Sequence, residues 1–580
     1  MPNFNYLYEN IDNKMRNLRF YENDADFKAN EIAAGGDGNS VMTSIPGVSN
    51  TWDLGKTYFN PHDEEKLTHT VTINYKTRGG ETVLPSDTIE VKYFSGVEQE
   101  IVVTANKVEG YVLKEDKKTV IIPTDSVVNF IYSTPVDPSQ PLTFKIISGG
   151  TIYWTATSSS FRKTIVYSKN GGEFWSSITS NTGASAPFIS VNAGDVVQFM
   201  GYNTRYGEGS SHFNTFSGST AKFEVEGNIM SLIKDTGFTT ATTLASNYTF
   251  DRLFVACTGL TSAENLLLPA TTLANNCYSS MFQGCTSLTT APELPATTLT
   301  ENCYYGMFWN CTSLTTAPEL PATTLASYCY ERMFCYCTSL IAAPSILPAT
   351  TLAGYCYYYM FSECTSLTSV PKLPATALAD SCYRYMFDGC TSLVTVPSTL
   401  LPATALTTSC YNSMFSGCTS LTTAPELPAT TLAQSCYLCM FEYCTSLTKA
   451  PSILPATALT INCYFEMFHG CTSLTTAPEL PATTLKNYCY YYMFADCTSL
   501  TTAPELPATT LTNYCYQYMF YGCTSLNYIK CLATNISASY CTTDWVRGVA
   551  STGTFVKNPN MTRWTTGNSG IPTDWTVQDA

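Results

Sequence analysis

Basic residues are scarce in this sequence. It has 30 Lys and Arg against 45 Asp and Glu, a formal net charge of −15, and charged residues make up only 13% of the chain. Proteins that bind nucleic acids through phosphate contacts carry clustered Lys and Arg, and no such cluster is present. We therefore exclude nucleic acid as a partner.

Long apolar runs are also missing. No run approaches the roughly 18 residues that a membrane-spanning helix needs, so we expect no membrane insertion. The first residues, MPNFNYLYENIDNKMRN, show no basic start followed by an apolar core, and no lipoprotein cysteine follows. These features predict no Sec-type signal peptide.

Histidine is rare, with four residues that lie at His62, His69, His212 and His469. None of them has the spacing of a metal site or a catalytic triad. We therefore predict no catalytic residue, no metal ligand and no cofactor, and a protein that is not an enzyme. His469 occupies a repeat position that elsewhere holds Gln, Trp, Ser or Asp, and is interpreted as a surface residue.

Cysteine is absent before Cys257, and all 25 cysteines lie between Cys257 and Cys541. They form two series in phase with a repeat, and the spacing within a unit is not that of a zinc site. Buried free thiols that act as small core residues are the favoured interpretation, with oxidation between coils as an alternative. Cys436 and Cys439 form a C-x-x-C that we attribute to a variable position.

A repeat of about 26 residues accounts for these cysteines. The segment CTSLTTAPELPATTLTENCYYGMFWN begins at Cys285 and recurs with steps of 26 to 28 residues. In each unit LTTAPEL predicts a short strand, which Pro292 makes brief or irregular. The following NCYYGMFWN predicts one or two helical turns, with inward positions at Cys303, Met307, Phe308 and Cys311. About eleven such coils would stack into a solenoid.

The repeat motifs CTSLTTAPELP and CYxxMFxGC resemble the BspA-type leucine-rich repeats of bacterial and phage surface proteins. The resemblance implies a leucine-rich-repeat solenoid over residues 229–544, with a short strand and a short helix per unit. The Cys pattern stops before residues 545–580, which predicts a C-terminal cap. Its aromatic residues are Trp545, Phe555, Trp564 and Trp575.

The front of the chain predicts β-rich modules. Residues 71–132 alternate apolar and polar side chains, and VVNFIYS with Gly110-Tyr111 resembles a MucBP-like small β domain over 63–136. YSKNGGEFW and FISVNAGDVVQFMG predict a β-sandwich-like module over 137–228. This module could bind carbohydrate through stacking groups or use them in its core, at Tyr153, Trp154, Phe174 and Trp175. Residues 1–62, with a helical stripe at Ile11, Met15 and Leu18, predict an anchor or a partly ordered terminus.

The repeats vary at the positions that flank the MF pair. These positions are rich in Tyr, Ser, Asn and Gly, as antibody binding sites are, so they predict a binding face, with neutral variation as the alternative. The candidate residues are Tyr305, Trp309, Tyr358, Tyr359, Tyr385, Tyr443, Tyr491, Tyr492, Tyr518 and Tyr521. The strand face is the rival site, and its acidic stripe, interpreted as solvated, consists of Glu293, Glu319, Glu426, Glu479 and Glu505.

These features favour a virion-associated fibre or decoration protein of a bacteriophage that adheres to the host surface. Its partners would be a bacterial surface glycan or protein receptor, other virion proteins through residues 1–62, and further copies of the chain. Such a protein is assembled in the cytoplasm, which agrees with free thiols. The alternatives are a bacterial cell-surface or secreted adhesin that binds host protein or glycan, and a carbohydrate-binding appendage of an enzyme system.

Overall fold

The computed structural model describes residues 6–8, 19–21, 67–77, 82–93, 99–108, 111–113, 117–122, 126–133, 137–171 and 174–580. It divides into two compact units, Met1–Thr134 and Pro135–Ala580. Apart from two paired strands, β1 Tyr6–Tyr8 and β2 Arg19–Tyr21, the predicted anchor 1–62 and its helical stripe lie outside the described residues. No helix in the described ranges could span a membrane.

Besides the pair of β1 and β2, the described residues of the first unit form a four-stranded sheet and a second strand pair. The sheet order is β4-β3-β8-β6, with β3 and β8 parallel and the other neighbours antiparallel. Val71, Phe130 and Tyr132 are fully buried in its core. The strands are β3 Leu67–Thr77, β4 Thr82–Tyr93, β5 Gln99–Thr104, β6 Val112–Leu113, β7 Lys117–Ile122 and β8 Val127–Ser133, of which β5 and β7 form the pair.

The second unit begins with a six-stranded sheet of order β13-β12-β15-β9-β17-β18. Two small antiparallel pairs, β10 with β14 and β11 with β16, accompany it. The strands are β9 Leu142–Ser148, β10 Gly150–Tyr153, β11 Thr155–Ala156, β12 Thr164–Lys169, β13 Ser176–Thr179, β14 Phe188–Val191, β15 Val196–Gly201, β16 Asn214–Thr215, β17 Lys222–Asn228 and β18 Leu260–Leu267. Three short 3₁₀ helices lie at Gly183–Ser185, Ile229–Leu232 and Phe238–Thr240.

This sheet and the repeat array share one core. Strand β17 pairs in parallel with β18, which belongs to the first coil. Phe216 of the sheet module stacks on Phe254 of the first coil at 5.6 Å between ring centroids. The predicted boundary between 137–228 and 229–544 therefore falls inside a continuous hydrophobic core, which extends through all the coils to Trp575.

The predicted order of β-rich modules followed by repeats is confirmed, but the predicted short helix in each repeat is wrong. The segment CYxxMFxxC folds as a series of turns in which the backbone N–H groups alternate between two acceptors. The amide of Met281 donates to the carbonyl of Tyr278 in its own coil, whereas the amide of Ser280 donates to Tyr305 of the next coil at 2.7 Å. An α-helix would use every amide internally, and here half of them join neighbouring coils.

The turns require a left-handed backbone at three positions per coil. In one coil these are Asn302, Gly306 and Asn310, with φ of 55°, 53° and 60°. The equivalent positions recur with positive φ in every following coil. Because the left-handed region costs a residue with a side chain about 1–2 kcal/mol, Gly and Asn are the natural occupants of these positions.

Side chains of the turns form ladders along the array. The CY tyrosines Tyr278 to Tyr516 stack coil upon coil at 5.5–5.9 Å between centroids. The MF phenylalanines do the same from Phe254 to Phe520 at 5.4–5.8 Å. Dispersion contacts summed over these ladders hold the coils in register.

The cysteines also belong to this core, and the prediction of buried free thiols is confirmed for all 25. From Cys285 to Cys523, each CTSL thiol donates to the phenylalanine carbonyl of the preceding coil at 3.0–3.2 Å. Cys at this position is both small and a weak donor, which explains its recurrence without any disulfide.

The predicted strand segment of each repeat, LTTAPEL, forms isolated parallel bridges, such as Thr316 with Ala342. Pro292 and its equivalents lack the N–H that a continuous ladder needs. The apolar residues of this segment, Leu288, Ala291 and Leu294, are buried.

A parallel sheet closes the C-terminal end of the array, and it consists of β19 Tyr528–Cys531 in the last coil, β20 Thr554–Lys557 and β21 Thr576–Asp579. Trp545 is fully buried and continues the tyrosine ladder, since it stacks on Tyr516 at 6.1 Å. Its other neighbour is Trp564 at 5.6 Å. Large aromatic groups thus shield the end of the core from water.

Candidate binding face

The ten predicted binding residues all lie in the turn segments, on what we name the turn face: the side chains at the variable positions flanking each MF pair. Nine of them are half-buried, and Tyr443 is 50% exposed. The structure gathers most of them into two groups. The arginine–tyrosine cluster contains Tyr305, Trp309, Arg332, Tyr358, Tyr359, Arg384 and Tyr385, and the C-terminal tyrosine cluster contains Tyr488, Tyr491, Tyr492, Tyr514, Tyr518, Tyr521 and Tyr540.

Arg332 organises the first cluster. Its guanidinium carbon lies 5.2 Å from the ring centroid of Tyr359 and 5.8 Å from that of Trp309, which are cation–π distances. Its Nη1 donates to the hydroxyl of Tyr305 and to Glu331, both at 2.9 Å. Burial raises the pKa of Glu331 to about 7, and Arg332 opposes this rise.

A second arginine extends the cluster by one coil. The guanidinium carbon of Arg384 lies 5.1 Å from the ring centroid of Tyr385 and 5.9 Å from that of Tyr358. Sequence reasoning chose only the aromatic residues and missed both arginines. They occupy the same variable positions, so an inspection of all residue types there would have found them.

Tyrosine stacking dominates the second cluster. Tyr492 lies 4.4 Å from Tyr518 between ring centroids. A parallel stack of Tyr488, Tyr514 and Tyr540 has centroid distances of 4.5 and 5.2 Å. This second stack was missed because it occupies the position before the CY pair, which sequence reasoning did not consider.

Acidic side chains separate the two clusters. Burial, and then the neighbouring Glu363, raise the pKa of Asp388 to about 6. Further along, His469 lies 3.3 Å from Glu442 and 3.6 Å from Asp496. The side chain of His469 is 17% exposed, so the predicted surface residue is partly buried, as most candidate residues of the turn face are. Tyr443 belongs to this region, with its ring 5.0 Å from that of His469.

The backbone explains part of the composition that suggested a binding face. Two of the variable positions have positive φ, so Gly and Asn at these sites follow from conformation rather than from recognition. The backbone conformation does not explain the tyrosines at these positions. Tyr359, Tyr385, Tyr492 and Tyr518 have φ of 52–56°, which is strained for a bulky residue.

Stacking covers ring faces of these tyrosines in both clusters. Tyr359 has Tyr385 against it at 4.5 Å with an interplanar angle of 1°, and Arg332 over its ring at 5.2 Å. Burial, and then Tyr491, raise the pKa of Tyr492 to about 12, so its phenol stays neutral and able to donate. The two tyrosine clusters offer hydroxyl groups and aromatic rings, and Arg332 and Arg384 add cationic groups.

Acidic side chains of the rival strand face form hydrogen bonds and an ion pair with residues of the next coil. Glu319 accepts hydrogen bonds from the amide and hydroxyl of Ser345, and Glu426 does so from Ser452. Glu505 forms an ion pair with Lys530 at 2.9 Å. These three carboxylates of the predicted stripe therefore link neighbouring coils.

The proposed stacking groups of the sheet module differ in their exposure. Trp154 is 1% exposed and its indole N–H donates to the carbonyl of Lys163, so it is a core residue. Phe174 is 85% exposed and Trp175 38%. Tyr153 packs against Phe188 at 5.6 Å. Core packing therefore accounts for one of the four residues.

Comparison with protein families agrees with this geometry. Residues 254–370, 347–450 and 434–542 match the family described as BspA type leucine rich repeat region, in six copies. This part of the chain is a BspA-type leucine-rich-repeat array. BspA-type repeats suggest a surface-adhesin or protein-binding role. No curated protein matches the chain significantly.

Proposed function

We propose that this protein is a non-catalytic adhesion protein that binds its ligand through the turn face of the BspA-type array. One observation carries the proposal. Tyrosines occupy left-handed backbone positions at Tyr359, Tyr385, Tyr492 and Tyr518, whereas Gly306 and Ser413 occupy the same position in other coils. The fold therefore does not need tyrosine there, and strained bulky residues that the fold does not need are typical of functional sites.

The ligand class follows from what the tyrosines expose. Their stacked faces are not free to cover a sugar ring, whereas the hydroxyl groups and edges can donate, accept and pack. Tyrosine also loses little side-chain entropy on binding, because it has only two side-chain torsions. A protein receptor on a bacterial surface is the preferred ligand, and a glycan bound through hydroxyl groups is the alternative.

We further propose that the protein acts on a bacteriophage particle, as a fibre or decoration protein attached through residues 1–62. The 25 free, buried thiols support assembly in a reducing compartment, where thiols stay reduced. The resemblance of residues 63–136 to MucBP-like domains supports a role in adhesion. A bacterial cell-surface adhesin is the alternative placement.

The binding proposal is tested with labelled full-length chain and intact bacterial cells. We expect the paired variants Tyr359→Ser with Tyr385→Ser, and Tyr492→Ser with Tyr518→Ser, to lose at least about tenfold in affinity, as hot-spot residues do. Tyr202→Ser, at a 68% exposed tyrosine of the sheet module, is the matched control. Unchanged binding by both paired variants would rule out the turn face.

The placement is tested by mass spectrometry of purified phage particles beside the surface proteome of uninfected cells. Detection of the chain in the particles supports the fibre. Detection only on uninfected cells supports the bacterial adhesin.

A further inference from the structure

Two neighbouring coils in the acidic part of the turn face carry potential metal ligands that the binding proposal does not use. Cys439 and Glu442 lie in one coil, and Glu466 and His469 occupy the equivalent positions in the next. The sequence reads C-x-x-E and then E-x-x-H. No other pair of adjacent coils has a potential metal ligand at all four of these positions.

The backbone fixes the spacing of these side chains. The amide of Glu442 donates to the carbonyl of Cys439, and the amide of His469 donates to that of Glu466, both at 3.2 Å. The amide of Cys439 donates to Phe465 of the next coil at 2.8 Å. The four residues therefore form a square. Residues three positions apart in one turn define one side, and equivalent residues in adjacent coils define the other.

Three corners of the square, Cys439, Glu442 and Glu466, are placed to hold one ion, and His469 lies beside Glu442. The donor atoms of Cys439, Glu442 and Glu466 all lie within 4.8 Å of one another. The Cys439 sulfur is 3.5 Å from a Glu466 oxygen, and the His469 Nδ1 is 3.3 Å from a Glu442 oxygen. The usual Zn–S, Zn–O and Zn–N bond lengths give tetrahedral edges of roughly 3.6 Å for sulfur to oxygen and roughly 3.4 Å for nitrogen to oxygen.

Burying two carboxylates beside each other is unfavourable in free energy unless a cation compensates their charge. Cys439 is 8% exposed, and the side chain of Glu442 is 19% exposed. A bound dication would take the place of the thiol proton and remove the repulsion between the carboxylates.

We propose that Cys439, Glu442 and Glu466 bind a Zn²⁺ ion that links two adjacent coils, and that His469, whose Nδ1 lies 3.3 Å from Glu442, completes the set of ligands. The donor set of one sulfur, one nitrogen and two oxygens fits Zn²⁺ rather than Mg²⁺ or Ca²⁺, which take oxygen ligands. Asp496 lies 3.6 Å from the Nε2 of His469, on the side where a carboxylate commonly accompanies a metal-bound histidine.

The test uses untagged full-length chain, dialysed against a chelator and then loaded with Zn²⁺ or Co²⁺. We expect about one tightly bound Zn²⁺ per chain by elemental analysis, and a thiolate-to-cobalt charge-transfer band in the Co²⁺ form. Cys439→Ser removes the band, and His469→Ala lowers the Zn²⁺ affinity at least about tenfold. Cys335→Ser, at another buried thiol outside the regular series, leaves both unchanged.

Each outcome decides the proposal. A wild-type chain that retains no Zn²⁺, or a Cys439→Ser variant that keeps the cobalt band, overturns it. Circular dichroism without metal checks that the variants fold, and Glu466→Gln replaces any variant that does not. Loss of the band in Cys335→Ser as well would show unspecific thiol binding and also overturns the site.

Discussion

The ring of Tyr359 lies parallel to the ring of Tyr385 in the next coil, with 4.5 Å between their centroids and an angle of 1°. Both residues have φ of 55°, so each carries a backbone cost of about 1–2 kcal/mol. Stacking of an aromatic pair stabilises the folded state by about 0.5–1.5 kcal/mol. For the two residues together the backbone cost of about 2–4 kcal/mol exceeds the stacking energy, so stacking alone does not account for tyrosine at these positions.

Tyr359→Gly is therefore expected to change the free energy of unfolding by less than about 1 kcal/mol, because the relieved backbone strain offsets the lost stacking. Tyr357→Ala, in the buried ladder two residues earlier, is expected to cost about 3–5 kcal/mol. Urea unfolding of both variants measures this difference. Equal losses would show that Tyr359 belongs to the stabilising core.

Tyr464→Phe is expected to leave stability unchanged or raise it by up to about 1 kcal/mol. The Tyr464 hydroxyl is buried without a hydrogen-bond partner among the described residues, and an unpaired buried hydroxyl is unfavourable. The matched control is Tyr206→Phe, since that hydroxyl donates to the carbonyl of Leu232 at 2.7 Å. Its removal should cost about 1–2 kcal/mol in thermal or urea unfolding. A similar loss of unfolding free energy in both variants would show that the Tyr464 hydroxyl does have a hydrogen-bond partner.

The thiols are expected to resist modification in the folded chain. Burial raises the pKa of Cys303 and Cys410 to about 12, and only the thiolate reacts readily. Titration with Ellman's reagent at pH 8 should detect few thiols in the native chain, and all 25 after unfolding in denaturant. Rapid reaction of most thiols in the native chain would contradict the continuous core.

Glu331→Gln is expected to stabilise the array at high pH. The pKa of Glu331 is about 7 in the folded chain against an ordinary value of 4.5, so the folded state binds more protons between these values. The contribution of Glu331 to stability is therefore greatest below about pH 4.5 and is lost as the pH rises from there through about 7. Allowing for screening, the variant should gain about 1–2 kcal/mol over the wild type at pH 8 and little at pH 5.

Arg332 is the charged group that faces Glu331, and its bond to the Tyr305 hydroxyl survives the substitution. Urea midpoints at the two pH values give the measurement. An equal gain in stability at both pH values would show that ionisation of Glu331 is not the cause of the gain.

The sequence determined the repeat, its period and the residues that face the core. The spacing of Cys303, Met307, Phe308 and Cys311 placed them inward correctly, because any coiled unit of this length must bury its recurring apolar positions. The family followed from the same motifs.

Only the tertiary structure decided how the backbone turns and where its hydrogen bonds go. Helical spacing and stacked turns place the same residues inward, so periodicity could not distinguish them. The amide of Ser280 finds its acceptor at Tyr305 in another coil, and a contact between coils leaves no mark within one repeat. For the same reason the pairing of Cys439 with Glu466, and of Tyr359 with Tyr385, became visible only once the coils were stacked.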